Sequence, residues 1–436
     1  MTTFFSPSAT ATFPPAQPTV PPVAAPAAPA APVLLDVTSL SPELGVDRLL
    51  EHAVNLQASD VCFCVNEQHV LVQARHLGMM RPIAILSPDY GKRAIALIKT
   101  RANLDLTERR RPQDGRWIYT HGDDNGTVFD LRIAAIPTAF GEDLSVRLLD
   151  RTSKRFTLDT LGLLRAQRGL LASTLEAPGG LVLFTGPTGS GKTATLYACL
   201  QHLNTGKKKI NTIEDPIEYT LEGVRQSQVN PAIDLNFSDL LRAVMRQSPD
   251  VIMIGEIRDP ETAGIAIRAA NSGHMVLATI HATAAAGAVQ SMRALGVHSH
   301  FLATALRAVV AQRLVRTLCP KCRTAFDLAD APHTFDEISH LLSARDGKVL
   351  WAPRGCEACL MSGYAGRTGV FELMPVSRTL RNLIAENHTT REIRQRALAE
   401  KMIEFRHAAL MKVALGETST EEVFRAIPTE HLIADD

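Results

Sequence analysis

Between Leu181 and Thr193 the chain reads LVLFTGPTGSGKT. An apolar run leads into Gly186; Pro187, Thr188, Gly189 and Ser190 follow, and then Gly191, Lys192 and Thr193. Glycines at this spacing let backbone N–H groups curl round an anion, and a helix beginning near Lys192 adds the positive end of its dipole. In such a strand–loop–helix the lysine reaches the β- and γ-phosphates of ATP, and the threonine hydroxyl sits on Mg2+. The apolar strand before the loop and the helix-forming ATLYACLQHL after it argue against a ligand-free glycine turn.

Phosphates held in a loop react only if other groups are delivered to them. Four runs, LVLFT, KINTI, VIMIG and MVLATI, read as buried parallel strands. The first is followed by the loop itself, the second by Glu214-Asp215 and Glu218, the third by Glu256 and the fourth by His281. Ligands of an open α/β sheet bind outside the carboxyl ends of its strands, so these residues are expected at one edge. Hydrolysis needs a group that orients or deprotonates a water in line with the γ-phosphate, and Glu256 in DVIMIGEIRD is the candidate. A carboxylate here could instead serve the N-terminus of the helix DPETAGIAIRAA, a role open equally to Asp259. Glu214 and Glu218 are candidates for holding Mg2+ through water. His274 and His281 flank the fourth strand and either sense the γ-phosphate or fill structural positions.

Several elements must position these groups. Residues 1–42 are rich in Pro and Ala, with no charge before Asp36, and read as a semi-extended tether open to a docking partner. An α+β domain is expected over 43–150, with helices in DRLLEHAVNL and DYGKRAIALIKTRANL and a strand in VCFCV. Its charged run ERRRPQDGR (108–116) joins Arg132 and Arg147 on predicted strands, a surface that contacts phosphate or forms ordinary ion pairs. A linker (151–164) leads to the α/β core over 165–315. In 316–375 two C-x-x-C pairs, Cys319/Cys322 and Cys356/Cys359, read as a structural tetrahedral Zn2+ site with a helix, DEISHLLSAR, between the knuckles. Residues 376–436 read as helical, and Cys62, Cys64 and Cys199 as buried small residues.

The 436 residues carry a net charge of +1, which gives no basic footprint for nucleic acid. No run of about 18 or more apolar residues spans a membrane, and the N-terminus lacks a signal-peptide pattern, so a cytoplasmic protein with reduced cysteines is expected.

Taken together, ASD (58–60), RRRPQDGR (109–116), GPTGSGKT (186–193), TIEDPIE (212–218), GEIRDPETA (255–263) and GHMVLATIHA (273–282) resemble the secretion ATPase superfamily. The cysteine pairs, GYAGRTGVFE (363–372) and GETSTEEV (416–423) place the resemblance in the branch of type IV pilus assembly and type II secretion. The resemblance implies a RecA-like ATPase core, a PAS-like N-terminal domain and a homohexamer peripheral to the bacterial inner membrane. Ring closure would be passed to a polytopic platform protein there. It puts the catalytic glutamate at Glu256, an acidic box at Glu214 and Glu218, a histidine box at His274 and His281, and phosphate-contacting arginines at Arg132 and Arg147. Pilus retraction and type IV secretion ATPases are the nearest competing readings. A helicase-type motor is a more distant one, for which aromatic stacking residues are sparse.

Overall fold

A computed structural model describes residues 34–122, 126–150, 156–329, 331 and 333–433. Most of the expected tether, the first residues of the linker and the acidic C-terminal end lie outside them.

Two Ser-Pro pairs start the helices of the first domain. Ser41 and Ser87 accept from the N–H groups of Leu44 and Tyr90, and the prolines that follow have the φ a first turn requires. Helix α1 (Pro42–Asn55) therefore begins ahead of the periodic stretch at Asp47. Strands β1 (Asp60–Val65), β2 (Val70–His76) and β3 (Met79–Leu86) precede α2 (Pro88–Arg101), and β4 (Gln113–His121), β5 (Thr127–Thr138) and β6 (Gly141–Asp150) follow it. They form one antiparallel sheet in the order β3-β2-β1-β6-β5-β4. Strand alternation puts Val61, Phe63, Leu131, Ile133 and Val146 into a core with the helices. The opposite face carries the polar residues. Cross-strand register aligns Arg75, Asp60, Arg147, Arg132 and Arg116 in a single row over five strands. Cys62 and Cys64 lie on this face and are half-buried, unlike Cys199, which is buried as expected.

The second body alternates strands and helices: α3 (Arg165–Leu175), β7 (Gly180–Thr185), α4 (Lys192–Leu203), β8 (Ile210–Glu214) and β9 (Val224–Gln228). Then come α5 (Phe237–Met245), β10 (Val251–Ile254), α6 (Pro260–Asn271), β11 (Met275–Ile280), α7 (Ala285–Ala294), α8 (Ser299–Ala305) and β12 (Leu306–Leu318). A small hairpin of β13 (Thr324–Asp327) and β14 (Val349–Ala352) precedes β15 (Tyr364–Pro375), and α9 (Arg378–Ala385), α10 (Thr390–Ala399), α11 (Phe405–Ala414) and α12 (Thr420–Ala426) close the chain. The main sheet runs β15-β12-β7-β11-β10-β8-β9, parallel except for β15. β7 is buried on both faces, Val182 and Phe184 against α3 and α4, Leu181 and Leu183 against the helices opposite. The central strands thus lack the in–out alternation of β1 and read as continuous apolar runs.

Two expectations sharpen. The helix expected over DEISHLLSAR between the cysteine pairs is a short 3-10 helix, Asp336–Leu341. It is pinned by fully buried Ile338 and by Glu337, which accepts from Arg406 and His407 of α11. The C-terminal stretch breaks into α10 and α11 at Lys401, whose φ is +67°.

Glu422 on α12 ties that C-terminal segment to the sheet. Fully buried, it accepts from the Arg316 backbone N–H and from the guanidinium groups of Arg316 and Arg425. Burial alone would raise its carboxyl, but the donors from Arg425 and Arg316 outweigh burial and hold it below the ordinary value. A depressed folded-state pKa stabilises above the unfolded value and is lost as pH falls through the folded one. Glu422→Gln is expected to cost about 3 kcal/mol at neutral pH, because it leaves a buried guanidinium without its carboxylate. In thermal unfolding followed by circular dichroism, the gap to wild type should close as pH falls below about 4.

Candidate active site

The phosphate loop leaves β7 at Gly186 and ends at Gly191, the N-cap of α4. Gly189 and Gly191 have φ of +76° and +88°, the left-handed region where a side chain is strained. Gly191 offers no side-chain cap, so the first N–H groups of α4 remain available to an anion. Lys192 Nζ donates to the carbonyls of Gly186 and Pro187 at 2.8 and 3.1 Å, resting on its own loop where phosphate oxygens would take over. Burial pulls the Lys192 pKa down, while the charge of Glu256 works to keep it up. Thr193 is exposed on the first turn of α4, suited to hold a Mg2+ that would neutralise phosphate charge. The cradle fits a nucleotide phosphate chain: bare glycines, an uncapped helix start and a lysine.

Glu256 follows β10 and Gly255. Its Oε2 accepts from Arg258 Nε at 2.6 Å, and its Oε1 lies in close contact with His281 Nε2 without the alignment of a hydrogen bond. Asp259 takes the other carboxylate role: it caps α6, accepting from Thr262 N–H at 2.8 Å. Glu256 stays at the strand tip, outside the cap of α6. Its neighbour His281, a candidate for sensing the γ-phosphate or for a structural position, lies against the glutamate.

His274 does not join them. It precedes β11, at the edge opposite the phosphate loop, and its Nδ1 lies 2.9 Å from the Ala269 carbonyl at the end of α6. A position before the strand cannot deliver a side chain to the strand's carboxyl end. Glu214 also departs from its expected role. It is buried, with Oε2 accepting from Tyr197 and Oε1 from Thr212 and Gln226. A carboxylate so enclosed shapes the end of β8 rather than facing a hydrated ion.

Glu218 sits with the arginines. A cleft of about 850 Å3 separates the two bodies, lined by Arg116, Arg132 and Arg147 on one side and Ile217, Glu218 and Gln228 on the other. Residues 186–193 are not among its walls. Arg132 donates to the Ile217 carbonyl at 3.0 Å, and Arg147 Nε reaches Asp60 at 3.2 Å. Burial raises the Glu218 carboxyl, and the charges of Arg132 and Arg147 oppose it. In this arrangement the arginines face the acidic segment after β8 rather than the loop.

The family model for type II/IV secretion system proteins matches residues 38–425. The chain belongs to this family. The type II secretion system protein E of Dickeya dadantii is 42% identical over 385 residues, 88% of this chain and 75% of the relative. The type II secretion system ATPase E of Vibrio cholerae is 38% identical over 381 residues, 87% and 74% of the respective chains. Among solved structures, the Yersinia pseudotuberculosis ATPase DotB covers 92% of this chain and 98% of its own, with a TM-score of 0.69 at 19% identity, a likeness of fold.

In this type II/IV secretion protein the four cysteines form a second centre. The sulfurs of Cys319, Cys322, Cys356 and Cys359 all lie within 4.8 Å of one another. Cys319 to Cys356 is 4.0 Å, and Cys359 is 3.7 Å from both Cys322 and Cys356. Tetrahedral zinc with Zn–S bonds near 2.3 Å requires sulfurs about 3.8 Å apart. The N–H groups of Cys356 and Gly363 also point at Cys359 Sγ, each at 3.2 Å, as donors to a thiolate do. Zinc fits here as a cross-link between two turns.

Sequence reading missed Gln312. It stands beside the loop on β12, in the run AVVAQR, a fifth apolar run followed at once by polar residues. Strand periodicity marks that run as clearly as the other four.

Glu256→Gln is expected to bind ATP but to turn it over at least ~100-fold more slowly in a steady-state phosphate-release assay. Elemental analysis of the purified protein should return about one zinc per chain, and Cys359→Ser should lose it.

Proposed function

We infer that this chain is an ATPase that powers protein secretion of the type II kind, working as a homohexamer against a polytopic inner-membrane platform protein. The observation that carries it is the convergence of the phosphate loop, after β7, and Glu256, after β10, at the carboxyl ends of the two strands that flank β11, in a chain whose curated relatives are type II secretion proteins. Lys192 and the N–H groups of α4 bind the phosphates, Thr193 holds Mg2+, and Glu256 orients the attacking water. The carboxylate acts where β10 places it, and Arg258 and His281 hold it until substrate arrives.

Arg132 and Arg147 serve a second step. A cation aimed at a γ-phosphate stabilises developing charge and links hydrolysis to domain closure. Both line a cleft against the core, where Glu218 feels the charge of each. Closing the domain over a nucleotide, in the same subunit or the next one of a ring, exchanges that carboxylate for phosphate. Pilus assembly remains the second reading within the family, and the cysteine centre favours it and type II secretion over pilus retraction.

Purified protein should hydrolyse ATP with Mg2+ at a rate unchanged by single-stranded DNA or RNA at low salt. Stimulation that fades as log[salt] rises would replace the secretion reading with a nucleic-acid motor.

A further inference from the structure

Strand β12 runs on beyond β7. Ala311 is level with Thr185, the last residue of β7, so Gln312 arrives beside Gly186 where the phosphate loop begins. Gln312 is 1% exposed, and its Nε2 donates to the Ser190 carbonyl at 2.7 Å. A carbonyl only accepts, which fixes the end of the amide that bears nitrogen. The other end, Oε1, is buried with no hydrogen-bond partner among the described residues. A buried amide oxygen without a donor is a standing cost that an apolar side chain here would avoid.

The loop is shaped against this residue at both ends. A Cβ on Gly186 would fall 2.5 Å from the Gln312 carbonyl, and one on Gly191 would lie 3.3 Å from Gln312 Nε2. On the neighbouring position, the buried Arg313 guanidinium donates to the Gln312 carbonyl at 3.1 Å and to the Thr283 carbonyl at 2.9 Å. The strand that presents Gln312 is therefore itself held on its far side. A trans peptide points its C=O and N–H in opposite directions. Drawing the Ser190 carbonyl toward β12 turns the Gly191 N–H away from it, at the start of α4 where no side-chain cap competes.

We propose that Gln312 is a positioning residue for nucleotide binding, its amide fixing the Ser190–Gly191 peptide so that the N–H groups opening α4 face the phosphates. The proposal rests on the reading of residues 186–193 as the ATP site. Gln312 does not touch the reacting atoms; it acts through the loop.

Two variants test it, with Mg2+ and a fluorescent ADP analogue as the probe. Gln312→Met keeps length and volume but cannot donate. Its dissociation constant should rise roughly tenfold and its KM for ATP in step, with kcat changed less than about threefold. Its thermal midpoint without nucleotide should stay near wild type. Gln312→Glu donates as the neutral acid and not as the carboxylate, so its deficit relative to wild type should narrow as pH falls from about 8 to about 5.5. A merely structural role would not follow that titration. If wild type binds the probe and Gln312→Met binds it equally well, the proposal fails. It fails equally if the Gln312→Glu deficit is the same at every pH. If circular dichroism shows Gln312→Met unfolded, the Gln312→Glu profile decides alone. Wild type that does not bind the probe would instead overturn the reading of the loop.

Discussion

Glycine gives the phosphate loop its shape and deprives it of side chains to keep that shape. Gly189 and Gly191 occupy left-handed conformations, and the peptides between Gly186 and Lys192 must be held from outside. The neighbouring strands do this. Thr185 at the end of β7 donates to the Ala282 carbonyl beyond β11, at 2.8 Å, and β12 contributes the Gln312 amide. Lys192 adds a bond from within, its ammonium resting on the Gly186 and Pro187 carbonyls. Burial makes that cation costly, so phosphate oxygens arriving at Nζ would favour the charged form more strongly than neutral carbonyls do. The order of the sheet, with β7 between β12 and β11, is what brings these holders within reach.

The first domain answers with a row of cations. Cross-strand neighbours Arg147–Arg132 and Arg132–Arg116 place like charges side by side, an arrangement that weakens a sheet. Aspartates relieve the ends: Asp60 takes Arg75 and Arg147, and Asp130 takes Arg116. Arg132, in the middle, has a carbonyl of the other body in reach. Such a row is tolerated most easily when an anion lies over it. Glu218 supplies one across the cleft, but burial disfavours its charged form, so it is a weak counter-ion. A polyphosphate would be a stronger one.

The parts legible in the sequence were those where one strand carries both fold and chemistry. The runs ending at Gly186, Glu214, Glu256 and His281 all form strands of one sheet, and the cysteine pairs converge. What escaped depended on long-range pairing. β12 and β15 enter the same sheet although an excursion with both cysteine pairs separates them, so a reading that ended the core at 315 cut β12 within its own length. Of the two histidines that flank β11, the structural alternative fits His274, because a motif spanning a strand puts its two ends at opposite edges. Glu214 looked like a metal-facing acid because nothing local announces that Tyr197, Thr212 and Gln226 enclose it.

That excursion raises a mechanical question which the cysteines answer. β12 and β15 pair from Ala308–Pro375 to Leu318–Tyr364, yet no tight turn joins them. Closing a long loop costs little more entropy than closing a short one, but it leaves the strand ends free to fray. Cys319 lies one residue beyond β12, and Cys359 lies shortly before β15, so a zinc ion held by the four sulfurs would fasten the pair where the turn would have been. Other segments meet at this corner. Arg81 of the first domain donates to the Leu360 carbonyl at 2.8 Å, and Arg323 stacks on Trp351 while donating to the Gly416 carbonyl before α12. The surrounding hairpin is thinly packed, with every residue of β13 exposed. Four metal–sulfur bonds would supply the rigidity that packing does not, at the corner where the first domain, the main sheet and the C-terminal helices meet.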